Sequence, residues 1–186
     1  MDLIRRAKDR GVRVSCETAP HYLALCENDM MEDGRFKMNP PLRSSADRDA
    51  LIAGLNDGTI DAIATDHAPH SPEEKSKGLE HSAMGISGLE TAFPALYTYL
   101  VMGGKVSLQR ILEALTSSPR KAFGLPPVLE EGAAADIAII DTRTEFTIDS
   151  SRFLSLGHST PFEGKRVYGK VLMTLKDGVA VWKDNN

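Results

Sequence analysis

The sequence has little cysteine: Cys16 and Cys26 are its only two. They make no CxxC pair and have no Cys or His set at zinc-finger spacing near them. They read as free thiols, buried or half-buried, acting as small hydrophobes. Long apolar runs are also missing. None approaches the roughly 20 residues of a membrane span. The first residues, Met1-Asp2-Leu3-Ile4-Arg5-Arg6, carry no signal-peptide core. With no secretion signal, the expected compartment is a reducing cytoplasm. Positive charge is not in excess either. The net charge is -4, which argues against nucleic acid or an anionic membrane as the main partner, since both need a basic face. There is no internal repeat and no low-complexity run.

What is present suits an ordinary globular protein. The 186 residues suffice for one domain or two small ones, and 41% are hydrophobic against 26% charged. Residues 2–10 read as a helix already under way, with Leu3, Ile4 and Ala7 on its apolar face and Gly11 as its stop. Val12 to Cys16 reads as a strand. Residues 19–43 read as a long loop. Ser44 to Asp47 is a capping-box start for a helix reaching Asn56. Ile60 to Thr65 reads as a short buried strand of the parallel type. A second polar loop spans 66–86. Ser87 to Glu90 reads as another capping box, for a helix that Pro94 would kink. Further helices start at Ser107 and, with proline at the first position, at Ser118-Pro119. From residue 132 the pattern turns to strands: 135–140, 146–148, 167–168, 171–175 and 179–182. Asp177-Gly178 is a hairpin signal between the last two.

Two of these strands end in chemically capable runs, Glu17-Thr18-Ala19-Pro20-His21 and Asp66-His67-Ala68-Pro69-His70. Strand, polar loop and helix, twice over, is the grammar of a (β/α)8 barrel, whose sites lie at the C-terminal strand ends. A full barrel takes about 250 residues, and residues 12–102 supply about two of its eight units. Asp66 is the strongest candidate. A carboxylate at a strand mouth between imidazoles is costly unless it manages a metal or a proton. Its oxygens suit zinc, and it could act as a general base. The plain alternative is an Asp capping its own loop. His67 and His70 could each be a ligand, a substrate contact or a solvated loop residue. His21 could equally be a packing residue. His81 and His158 read as surface. In Lys37-Met38-Asn39-Pro40-Pro41-Leu42-Arg43 the prolines stiffen the chain around Asn39, whose amide suits an amide or imide edge. A rigid turn with no ligand is the simpler alternative.

Together these runs resemble the dihydroorotases, in the bacterial-type branch of the cyclic amidohydrolases. The similarity lies in Ala64 to His70 with Lys75 just beyond, in Lys37 to Arg43, in Gly85 to Ala92, and in Asp136 to Asp141 after Glu131-Gly132. It extends from residue 2 to residue 182.

The resemblance implies an α/β fold, the C-terminal part of a (β/α)8 TIM barrel of the metal-dependent hydrolases over residues 1–125. A β-rich domain over 126–186, part of a composite β-sandwich, would follow. It implies reversible cyclisation of N-carbamoyl-L-aspartate to dihydroorotate in pyrimidine biosynthesis, with one or two zinc ions in the complete enzyme. Asp66 would be the zinc ligand and proton shuttle. Asn39 and His70 would contact substrate through their side chains, and Met84 and Gly85 through their backbone. The complete enzyme would be a homo-oligomer, with aspartate carbamoyltransferase as a candidate partner. An allantoinase, a hydantoinase or a non-catalytic scaffold on the same fold are the alternatives. The family's His-x-His pair, its middle-strand ligands and its carboxylate-binding arginine are not in this chain. It therefore reads as a fragment, inactive by itself.

Overall fold

The computed structural model describes residues 1–127 and 129–184. The helical part comprises α1 (Asp2–Asp9), α2 (Pro20–Ala24), α3 (Ser45–Asn56), α4 (Pro72–Lys75), α5 (Gly78–His81), α6 (Ala92–Leu96), α7 (Leu108–Leu115) and α8 (Ser117–Ala122). Two short strands lie among them, β1 (Glu17–Thr18) and β2 (Ala62–Ile63). Five more follow: β3 (Ile137–Asp141), β4 (Phe146–Thr147), β5 (Arg166–Val167), β6 (Lys170–Lys176) and β7 (Val179–Lys183). No helix among the described residues is long and apolar enough to cross a membrane.

The parallel pair is the part that positions the site. Glu17 pairs with Ala62 and Thr18 with Ile63. The strand expected at 12–16 therefore begins one residue after that stretch ends. A strand is defined by its partner, and only the segment level with β2 finds one here. The expected strand at 60–65 shortens to its centre for the same reason. Behind the pair, Leu23, Ile52, Leu55, Ile60, Ile63, Leu96, Leu100 and Ile111 form one buried core. Burial of such side chains contributes about 1.5–3 kcal/mol each.

Local signals account for several boundaries. Ser44 Oγ accepts from the Asp47 amide at 3.2 Å, and Asp47 returns a bond to the Ser44 amide, as the capping box requires. The Ser107 hydroxyl likewise caps α7 by accepting from the Arg110 amide. The 87–90 run does not cap a helix. Ser87 Oγ donates to Gly157 O, Glu90 holds Ser155, and α6 starts only at Ala92. Here a tertiary partner outcompeted the local bond. Pro94 falls in the first turn of α6, where no amide needs an intrahelical acceptor, so it does not kink the helix. A π-type turn over Tyr97–Val101 extends α6 instead. Pro119 is the third residue of α8 rather than the first.

Two other expectations change. The apolar face of α1 is not buried, and Leu3 is 81% exposed. The helix is held by ion pairs, Arg5 to Asp57 at 2.9 Å and Lys8 to Asp61 at 2.8 Å. The 19–43 stretch is not all loop. It contains α2 and two 3-10 turns, at Glu27–Asp29 and Gly34–Phe36. Pro20 opens α2, where its fixed φ suits a helix start. The 66–86 stretch likewise contains α4 and α5.

The C-terminal strands form two groups. β3, β6 and β7 make an antiparallel sheet in the order β3-β6-β7, while β4 pairs with β5. Asp177 and Gly178 join β6 to β7 with φ of 51° and 78°, the left-handed pair that a two-residue hairpin needs. A second buried core joins Phe36, Met38, Leu42, Ile86 and Ala95 to Ile148, Phe162 and Val167, which come from the β4–β5 stretch.

Candidate active site

Asp66 lies three residues beyond the end of β2 and holds a left-handed backbone, φ 51°. Aspartate tolerates that region better than most residues, but it is uncommon and concentrates where function over-determines geometry. Its side chain is 52% exposed and faces His21, whose Nε2 lies 4.0 Å from Asp66 Oδ2. Asp66 borders a cleft of about 370 Å³. Thr18, Tyr22, Pro40, Arg43, Ala64 and Asp66 line that cleft.

His21 is fully buried in α2, and its Nε2 has no hydrogen-bond partner. Burial lowers its pKa to about 4, so the ring is neutral near pH 7. The adjacent Tyr22 donates its hydroxyl to Pro40 O at 2.8 Å. Burial, with the Asp66 charge nearby, pushes Tyr22 up to about 12. It therefore stays a phenol and holds the turn that carries Asn39. Asn39 is exposed and precedes the cis peptide to Pro40.

A second cluster adjoins the first. His70 Nε2 lies 3.0 Å from Met84 O. A carbonyl only accepts, so that nitrogen carries the proton. Gly85 has φ 146° and lies so close that an added Cβ would come within 2.5 Å of Ala68 O and 3.0 Å of His70 Nε2. No other residue fits there. The Gly85 amide donates to Lys37 O at 3.0 Å, joining this turn to the 37–43 run. His70, Met84, Gly85 and the Asn39 run are thus brought together by backbone contacts.

His67 points elsewhere. Its Nδ1 accepts from the Gly88 and Leu89 amides at 3.1 and 3.3 Å, and its Nε2 faces Ser155 Oγ at 3.4 Å. None of the three roles open to it matches this: the structure makes it an internal anchor. His81 and His158 are exposed, as expected. Cys16 and Cys26 are free, half-buried and buried respectively.

The donors present fit one corner of a metal site. Among the described residues no group of three or more His, Cys, Asp or Glu side chains could hold an ion. The open Asp66 carboxylate, beside a buried imidazole nitrogen with no partner, suits one oxygen ligand of zinc. The nitrogens of His67 and the Nε2 of His70 are engaged with protein groups.

The sequence pattern of the Amidohydrolase family matches residues 1–181. The chain belongs to the amidohydrolase family. Curated relatives include the dihydroorotase of Brevibacillus brevis, 53% identical over 185 residues, which cover 98% of this chain and 43% of that protein. The dihydroorotase of Shouchella clausii is 53% identical over 182 residues, 97% of this chain and 43% of the relative. Among solved structures, an L-hydantoinase (dihydropyrimidinase) from Arthrobacter aurescens aligns with TM-score 0.88 at 34% identity, over 98% of this chain and 42% of its own. The chain thus spans less than half the length of the amidohydrolases it matches.

Within this amidohydrolase chain, sequence reasoning missed Tyr22 and the burial of Lys75, and it left His21 between a chemical and a packing role. Tyr22 sits one residue beyond a run already singled out, and only its contact with Pro40 reveals its use. Lys75 lies in a recognised run, but a lysine in sequence reads as solvated. It is 6% exposed.

Proposed function

We propose that this chain forms the C-terminal wall of a zinc-dependent dihydroorotase, interconverting N-carbamoyl-L-aspartate and dihydroorotate in the cytoplasm. Residues 1–125 are the last portion of a (β/α)8 barrel and 126–186 belong to a β-rich domain. The observation that carries the reading is the 53% identity to a dihydroorotase across 98% of the chain, with Asp66 opening onto a cleft at the end of β2.

Ring opening adds water across the ring amide: hydroxyl goes to the carbonyl carbon and a proton to the nitrogen. Zinc, when bound, supplies Lewis-acid activation of that water. Asp66 would be its ligand from this chain, and its carboxylate takes the water's proton and delivers it to the leaving nitrogen. In the reverse direction the same carboxylate removes the proton from the attacking nitrogen. Neutral His21 stands behind Asp66 and adds no competing positive charge. Asn39 offers a donor and an acceptor to the polar edge of the ring. His70 fixes the Met84 carbonyl, so that the Met84–Gly85 backbone meets the substrate in one orientation. The working enzyme is a homo-oligomer, with aspartate carbamoyltransferase as its candidate partner.

The likeness to an L-hydantoinase favours a second reading, ring opening of hydantoins. One experiment separates them. A hybrid joins this chain to the N-terminal portion of the Brevibacillus brevis dihydroorotase and is purified from a host lacking its own dihydroorotase. It is offered dihydroorotate, carbamoyl-aspartate, hydantoin and allantoin. Turnover of the first pair is expected. Turnover confined to hydantoin or allantoin overturns the proposal. The 186-residue chain by itself is expected to turn over none of them, because an open zinc site takes about three protein ligands.

A further inference from the structure

Lys75 closes α4 and is buried, yet its three partners are all backbone carbonyls. Its ammonium donates to Gly85 O at 2.7 Å, Ala83 O at 2.8 Å and Lys37 O at 3.0 Å. A lysine ammonium has three donors and no acceptor, so this tripod uses all of its capacity. The carbonyls come from two separate segments. Lys37 begins the run that carries Asn39, while Ala83 and Gly85 flank Met84. The Gly85 amide also donates to Lys37 O, and His70 holds the Met84 carbonyl from the other side.

The base of this arrangement is rigid. Ser71 caps α4, exchanging bonds with Glu74, and the Ala83 amide donates to Glu74 O. Gly34 lets the turn before Lys37 approach closely, since an added Cβ would lie 2.1 Å from Lys75 O. Burial, with the Lys37 ammonium nearby, lowers the Lys75 pKa to about 8, and Asp33 acts in the opposite sense. Near pH 7 the group therefore remains mostly protonated and keeps its three donors.

We propose that Lys75 is a positioning residue for substrate: its ammonium sets the spacing between the Asn39 run and the Met84–Gly85 turn. The inference rests on the reading that those two segments hold the substrate. Asp66 lies outside the tripod, so loss of the ammonium disturbs binding more than the proton transfer.

The test uses the hybrid enzyme with Lys75→Met, which keeps length and apolar stem but no donors. Leu55→Ala, in the core behind β2, is the control for lost stability alone. For Lys75→Met the KM for dihydroorotate is expected to rise about tenfold or more, with kcat changed less than about threefold. Amide exchange at Gly85 should accelerate about tenfold or more relative to the rest of the chain. Leu55→Ala should keep its KM and its local Gly85 protection. If the methionine variant does not fold, Lys75→Gln is read the same way. Unchanged KM and unchanged Gly85 exchange overturn the proposal. So does a loss of kcat alone. Failure of both variants to fold, while Leu55→Ala folds, assigns the lysine to stability and also overturns it. If the parent hybrid turns over no dihydroorotate, the functional reading fails, and Gly85 exchange still decides whether the lysine ties the two segments.

Discussion

The parallel pair β1–β2 is two residues long on each side, and the antiparallel sheet β3-β6-β7 reaches seven residues in its central strand. Burial runs the other way. Thr18 and Ile63 are buried, and helices with a continuous apolar core pack behind them. No residue of β3, β6 or β7 is buried, and Val179 and Val181 are 64% and 60% exposed. The long sheet is therefore held by its ladder and by its turn. Lys176 and the Asp177 amide both bond to Asp136 at the hairpin end. The short pair is held by what covers it, as parallel strands usually are. Ladder length and burial are thus separable, and in this molecule the candidate site lies beyond the end of the buried pair.

The sharpest way to break that comparison is at Asp66. In the hybrid enzyme, Asp66→Asn should lower kcat by at least about 10²–10⁴, since an amide cannot take the proton. Val181→Ala, on the exposed sheet, should leave kcat unchanged. Near-normal kcat for Asp66→Asn would end its assignment as the shuttle. Asn39→Ala should instead act mainly on KM, which steady-state kinetics separates from kcat.

Stability should divide the same way. Leu55→Ala removes a fully buried side chain and should cost about 2–5 kcal/mol in urea denaturation, while Val181→Ala should stay within about 0.5 kcal/mol. Equal costs would show that the sheet is covered in solution. A smaller effect is expected at the hairpin. Gly178→Ala places a Cβ at φ 78° and should cost about 1–2 kcal/mol, read as faster amide exchange confined to β6 and β7.

The smallest effect concerns acid. The Thr59 contact and then Arg5 hold Asp57 down, from 3.8 to about 2. Its contribution to stability is present above pH 3.8 and is lost as pH falls through about 2. Asp57→Asn should flatten that part of the acid-unfolding curve, followed by circular dichroism. An unaltered curve would mean that the Arg5–Asp57 link between α1 and the end of α3 adds nothing.

Part of the candidate site was legible because its runs are contiguous. Asp66 with His67 and His70 could be read along the chain as a chemically capable run, while the roles of Asn39 and of Met84-Gly85 came only through the resemblance to the dihydroorotases. The strand ends that present Asp66 were legible too, from apolar residues meeting a polar run. His67 was not resolved, because three uses were open to it and the choice depended on Ser155, 88 residues away. The capping box at Ser87 misled for a similar reason: Gly157 and Ser155 took its side chains.

By itself the sequence determined what local bonds decide. The Ser44 and Ser107 caps, the Asp177-Gly178 hairpin and the chemically capable runs all act over a few residues, where chain connectivity already holds the partners close. Only the tertiary structure decided what depends on distant partners. It chose which two residues of each strand would pair and left the apolar face of α1 uncovered. It buried the His21 imidazole behind Asp66, and it drew three carbonyls from two segments onto Lys75. Each of those outcomes rests on desolvation, and whether a side chain is taken from water is settled by what packs over it.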